Sequence, residues 1–191
     1  MIKVKKLVKE SIQKNEKILV WCTFINSIKK LESELREWLE SNGNAPAIRI
    51  WGEVPTDSEK NDEWNREDEI EKFKHSSEHN VLIANPASLS ESISLHKTCF
   101  NAIYYDLSYN CAQFLQSIDR IHRVGGSETE ESHYYFLQYK DSIDSDILTL
   151  LYNRRDRMYD LIEKDYSIYS MDMFEEDHED LNAYERIFTK Q

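Results

Sequence analysis

Short apolar runs alternate with longer segments of helical spacing through most of the chain, and this alternation restricts the fold more than any other feature. Residues 17–24, Lys17-Ile18-Leu19-Val20-Trp21-Cys22-Thr23-Phe24, are apolar at consecutive positions, as in a strand buried on both faces. Ile28, Leu31, Leu35, Trp38 and Leu39 then recur at helical spacing over residues 26–40, before Asn42-Gly43 supplies a stop. The pattern predicts further strands at 47–51, 80–84, 102–105 and 132–137, and helices at 2–13, 66–73, 111–122 and 142–164. A short last helix is expected at 181–188. Strands separated by helices imply a mostly parallel sheet covered on both sides, a three-layer α/β fold. Ligands in such sheets gather at the carboxyl ends of strands, which directs attention to the loops after Phe24, Ala84 and Tyr105.

The chain has 191 residues, enough for one domain and an appendage, and we expect a globular part at 1–140 and a helical extension with an acidic tail at 141–191. Apolar residues make up 40% and charged residues 31%, the balance of a folded soluble protein. No run approaches the roughly 18 apolar residues that span a bilayer, and the opening Met1-Ile2-Lys3-Val4-Lys5-Lys6 lacks a signal peptide's apolar centre, so a cytoplasmic location is expected. The formal charge of −12 argues against a protein that coats nucleic acid with basic surface. Much of that excess lies in the tail, in runs such as Glu175-Glu176-Asp177 and Glu179-Asp180.

Cys22, Cys99 and Cys111 are odd in number and widely spaced, which suggests buried thiols and neither a disulfide framework nor a zinc site. His75 and His79 can share a helical face but lack a third ligand, so no metal site is assigned.

Chemistry concentrates at Gln116-Ser117-Ile118-Asp119-Arg120-Ile121-His122-Arg123-Val124-Gly125. On a helix, Gln116, Arg120 and Arg123 share a face, with Asp119 beside them. Two guanidinium forks and an amide can hold a phosphate, since arginine stays charged and donates paired hydrogen bonds. Such an arginine can also stabilise charge on a transferring phosphoryl group. The bland alternative is that Arg120 and Arg123 pair with carboxylates on a solvated helix.

This segment resembles motif VI of superfamily 2 helicases, most closely their Swi/Snf-type branch, whose Asp-Arg-x-His-Arg-x-Gly form is present at 119–125. Upstream, Lys17 to Phe24 followed by Asn26-Ser27-Ile28 resembles motif IV. Arg66, Ile70 and Phe73 resemble the short Arg-x-x-x-Ile-x-x-Phe helix, and Val81 to Ala87 running on to Leu95 is similar to motif V. Ser90 and Ser92 stand where the family often has glycine, Asn85 where it often has threonine, and Gly126 where Gly-Gln is common. The likeness covers roughly residues 10–140, with all four motifs in order.

The resemblance implies a RecA-like second lobe with Arg120 and Arg123 as arginine fingers, Arg123 foremost, and with Gln116, Asp119 and Glu91 at the ATP. It implies that Thr23, Asn26, Asn85, Ser90 and Ser92 meet a nucleic-acid strand, most naturally double-stranded DNA. The partner would be an N-terminal RecA-like lobe of the same full-length chain, which would hold Mg2+ with the nucleotide. A phosphate-binding loop needs Gly-x-x-x-x-Gly-Lys, and the four glycines, Gly43, Gly52, Gly125 and Gly126, introduce no Gly-Lys pair, so the isolated chain is expected to be inactive. The competing expectation is a non-catalytic protein-interaction domain derived from such a lobe. Thr23 and Asn26 can also be read as caps of the helix that follows, and Ser90, Glu91 and Ser92 as a polar helix start.

Overall fold

The computed structural model describes residues 1–52, 65–89, 94–122 and 131–163. These form two compact units, Met1–Asp106 with Ala112–Leu137, and Leu107–Cys111 with Gln138–Gln191.

The first unit is built on β1 (Ile18–Trp21), β2 (Ile48–Ile50), β3 (Val81–Ala84), β4 (Asn101–Tyr104) and β5 (His133–Phe136). They lie in the order β2-β3-β1-β4-β5, every pairing parallel. Each residue of β1, β3 and β4 is buried, which is why these strands are apolar at successive positions, apart from Asn101, and not alternating. The fold is the RecA-like α/β arrangement expected from the sequence.

Helices α1 (Ile2–Gln13) and α2 (Ile25–Ser41) cover one face. Val4 and Val8 of α1, with Ile28, Leu31, Leu35 and Leu39 of α2, pack against Ile18, Val20, Ile83 and Ile103. A buried Val, Leu or Ile contributes about 1.5–3 kcal/mol, so this layer supplies much of the unit's cohesion. Chain direction reverses at β1. The chain leaves it for the edge at β2, returns to β3, then passes beyond β1 to β4. Right-handed crossovers therefore require α3 (Arg66–His75) and α4 (Cys111–Asp119) on the opposite face. There Tyr104 stacks on Phe136 with centroids 4.8 Å apart, meets Phe114 of α4 at 5.6 Å, and shares a 2.7 Å hydrogen bond with Ser117.

Helix α3 begins at a reciprocal cap. Asn65 accepts from the Asp68 amide at 2.8 Å, and its own amide donates to the Asp68 carboxylate at 2.6 Å. Glu67, Asp68 and Glu69 occupy its first turn and Lys72, Lys74 and His75 its last, the order that suits a helix dipole. Lys17 ties this side to the sheet, donating to the carbonyls of Ser76 at 2.7 Å and His79 at 3.3 Å while its ammonium lies over the Phe73 ring.

Most boundaries differ from expectation by a residue or two, and two of them bear on the site. Helix α4 ends at Asp119 and not at His122, because Arg120 to His122 form a turn in which the amides of Ile121 and His122 both approach the Ile118 carbonyl. The carbonyls of Arg120 and Ile121 are already taken, by the Leu95 amide at 2.8 Å and the Ser132 hydroxyl at 3.2 Å. Helix α2 begins one residue early, at Ile25. The expected helix at 181–188 lies outside the described residues, as does the acidic tail.

In the second unit α5 (Ile143–Glu163) is the main element, and Ile147, Leu150 and Leu151 are buried. Arg154 holds the Tyr109 carbonyl at 2.8 Å.

Candidate functional site

Reversal of chain direction at β1 makes its carboxyl end the topological switch point, where such sheets leave a crevice for ligands. Thr23 stands there. Its backbone is held from both sides: its amide donates to the Asp106 carboxylate just beyond β4, and its carbonyl accepts from the Asn85 side chain just beyond β3, at 2.6 Å. Asn85 is fully engaged in shaping this edge. Its Oδ1 accepts from the Ala87 amide at 2.8 Å, and its own amide donates to the Ile50 carbonyl at 3.1 Å, which brings β2 into the same joint. Gly52, at the end of β2, faces Ser88, whose hydroxyl lies 3.8 Å from where a Cβ would stand.

Thr23 and Asn85, two of the residues expected to meet nucleic acid, are thus brought together, with the Thr23 side chain half-buried at the rim. Asn26 lies in the first turn of α2 and is exposed. The capping alternative for Thr23 and Asn26 does not describe this helix, because its N-cap is Phe24 and no side-chain cap bond is made there. Asp106 supplies the anion instead, across the sheet edge. A carboxylate at a helix N-terminus is favoured by the dipole and by the open amides. Burial nevertheless pushes the Asp106 carboxyl above its ordinary range, against the opposing pull of hydrogen bonds from Ser27, Thr23 and Phe24. Sequence reasoning directed attention to the loop after Tyr105 but did not single out Asp106. The signal available was an acidic residue directly following an apolar strand at a predicted ligand edge.

Gln116 and Asp119 lie in the last turns of α4 and are exposed, and Arg120 opens the turn beyond. The bond from the Leu95 amide to the Arg120 carbonyl, at 2.8 Å, couples the segment that follows β3 to the arginine-bearing turn. Tyr134 of β5 supports the same turn, its hydroxyl donating to the Ile118 carbonyl at 3.1 Å, and burial pushes that phenol up to about 12. Arg123, Ser90, Glu91 and Ser92 lie outside the described residues. Among the described residues no three His, Cys, Asp or Glu side chains converge as a metal site. His75 instead lies 3.0 Å from Glu71, and His79 lies 3.2 Å from the Pro46 carbonyl. No helix among the described residues is long and apolar enough to cross a membrane.

The helicase conserved C-terminal domain family matches residues 2–125. The ATP-dependent helicase fft1 of Schizosaccharomyces pombe (strain 972 / ATCC 24843) is 30% identical over 152 residues, covering 78% of this chain and 14% of that protein. An uncharacterized ATP-dependent helicase, YqhH of Bacillus subtilis (strain 168), is 39% identical over 74 residues, covering 39% of this chain and 13% of its own. The chain therefore spans only a small part of these relatives. Among solved structures, the C-terminal part of the Fun30 ATPase domain superposes with a TM-score of 0.62 at 29% identity, covering 78% of this chain and 43% of that one. The Sulfolobus solfataricus SWI2/SNF2 ATPase core domain does so with a TM-score of 0.58 at 20% identity, covering 87% and 30%, and shows the likeness of fold.

Proposed function

The chain belongs to the helicase conserved C-terminal domain family, on its Swi/Snf-type branch, and from that membership we propose that it is the second motor lobe of an ATP-dependent DNA helicase or translocase. One observation carries the reading: at the switch point of the sheet, the expected strand contact Thr23 is clamped between Asn85 and Asp106. A second hydrogen bond, from the Leu95 amide to the Arg120 carbonyl, joins the segment between β3 and β4 to the turn bearing Arg120.

In this reading Thr23, Asn26, Asn85, Ser90 and Ser92 line the path of one DNA backbone. Because the Asn85 side chain already bridges Thr23 and Ala87, its part is to set the loop that faces the strand. Arg120 and Arg123 approach the γ-phosphate when a first RecA-like lobe closes, and Gln116, Asp119 and Glu91 order the nucleotide. The guanidinium and amide donors suit a triphosphate, and a magnesium ion would be held by the first lobe. Residues 1–140 form the lobe and 141–191 a helical extension of it. ATP would supply the energy difference between open and closed lobes, while these side chains bind, orient and neutralise phosphate charge.

The test is DNA-stimulated ATP hydrolysis by the full-length protein, comparing wild type with Arg123→Ala and Arg120→Ala. Loss of an arginine finger lowers turnover by about 10³-fold or more in related chemistry, and a large fall in kcat with nucleotide binding retained is expected for Arg123→Ala. Turnover equal to wild type in both variants would remove the finger assignment.

A further inference from the structure

Helix α1 orders its charges against its own dipole. Its first turn has no acidic residue and carries Lys3, with Lys5 and Lys6 following, and its last turn has no basic residue. Cations near a helix N-terminus are disfavoured by the dipole, where anions would stabilise it. Helix α3 of the same unit has the opposite and favourable order. The reversed order of α1 does not serve the helix, and it stands in a chain of net charge −12.

The lysines are also segregated. Val4, Val8 and Ser11 are the buried stripe, so Lys3, Lys6 and Lys9 fall on the outer part of the helix, and all three are exposed. Lys6 lies 3.8 Å from the Glu10 carboxylate, both side chains well exposed. Lys5 is placed differently, over the Trp38 ring. At 1.5 Å per residue, Lys3 and Lys9 lie about 9 Å apart along the axis, a span over which three flexible ammonium groups can reach successive phosphates of one strand.

We propose that the outer face of α1, through Lys3, Lys6 and Lys9, is a second DNA-backbone contact, separate from the strand-end edge and facing away from the sheet. It takes duplex DNA through phosphates alone and without sequence preference, since lysine ammonium groups neutralise phosphate as point charges. The identity of the polyanion rests on the motor reading above; the existence of an anion-binding face does not. In a moving motor, such a contact would hold a neighbouring segment of duplex while the strand-end contacts release.

The experiment measures binding of the whole 191-residue chain to a short DNA duplex across a salt series, for wild type, the triple exchange Lys3→Gln/Lys6→Gln/Lys9→Gln, and a control exchanging Lys30, Lys72 and Lys140 for Gln. Expected is a roughly ten- to thirtyfold loss of affinity at low salt for the α1 triple, with the log–log salt slope shallower by roughly two to three, and a much smaller change for the control. Urea midpoints matched to wild type verify the fold. Equal losses in triple and control, or a wild-type chain that does not bind duplex, overturn the proposal. So does a result in which polyglutamate, and not DNA, depends on the three lysines, because the face would then serve an acidic peptide. Asn26→Ala, measured alongside, separates the two readings: its failure to weaken binding counts against the strand-end contacts, and the triple's failure against α1.

Discussion

Asp106 holds a carboxylate against the start of α2 where water reaches it only in part, and its raised pKa follows from that placement. The sign of the linkage follows. The folded form binds this proton more tightly than the unfolded chain does, so stability from Asp106 is greatest in acid and falls as pH rises from the ordinary value of 3.8 through the raised one. Asp106→Asn keeps an oxygen for the Thr23 amide and removes the charge. Urea midpoints at pH 4 and pH 7 should therefore shift in favour of the Asn variant as pH increases, whereas Asp106→Ala, which strands the amide, should lose about 1–3 kcal/mol at both. A constant difference between wild type and Asp106→Asn would remove the assignment. The residue also marks a limit of sequence reading. Thr23 and Asn85 were legible as polar residues at the ends of apolar runs, but the partnership of Asp106 with Thr23 depends on the parallel register that sets Trp21 beside Tyr104, and no local pattern encodes it.

Elements were legible wherever burial imposed a period. β1, β3 and, beyond Asn101, β4 are buried on both sides and read as unbroken apolar runs, and α2 shows its stripe of Ile28, Leu31, Leu35 and Leu39. The end of α4 was not legible. Its spacing continues to His122, but the chain tightens into a turn at Arg120, where the carbonyls of Arg120 and Ile121 accept from Leu95 and Ser132 on distant segments. Strand order was equally invisible, since alternation of strands and helices is compatible with several parallel arrangements. For α3 the cap itself does much of the local work. Asn65 is buried and bonded both ways to Asp68, so Asn65→Ala should cost about 1 kcal/mol, read as a lowered urea midpoint. Asn65→Ser, which keeps a neutral acceptor for the Asp68 amide, should recover part of it, and a midpoint unchanged in the Ala variant would show that packing of Ile70 and Phe73 fixes the helix start instead.

On the scale of the molecule, the proposed reading makes the turn at Arg120 one part of a half nucleotide site whose other half belongs to a first lobe. The purified 191-residue chain should accordingly show no DNA-stimulated ATP turnover above background in a phosphate-release assay. Turnover that depends on Arg120 would place a complete site within the chain. Charge also divides at this scale, since lysines gather on α1 while the runs of Glu175-Glu176-Asp177 and Glu179-Asp180 lie near the other end of the sequence.

The central position of β1 has a consequence for synthesis. Of the five strands of this sheet it is made first, yet both neighbours come much later, Val81 opposite Ile18 on one side and Asn101 opposite the same residue on the other. At about 5–20 residues per second, its apolar Ile18-Leu19-Val20-Trp21 edge waits on the order of seconds with neither partner available, covered only by what α1 and α2 can shield. A sheet assembled outward from its earliest strand leaves that apolar strand waiting longest for its neighbours, and the nascent chain's need for protection is set by strand order as well as by stability.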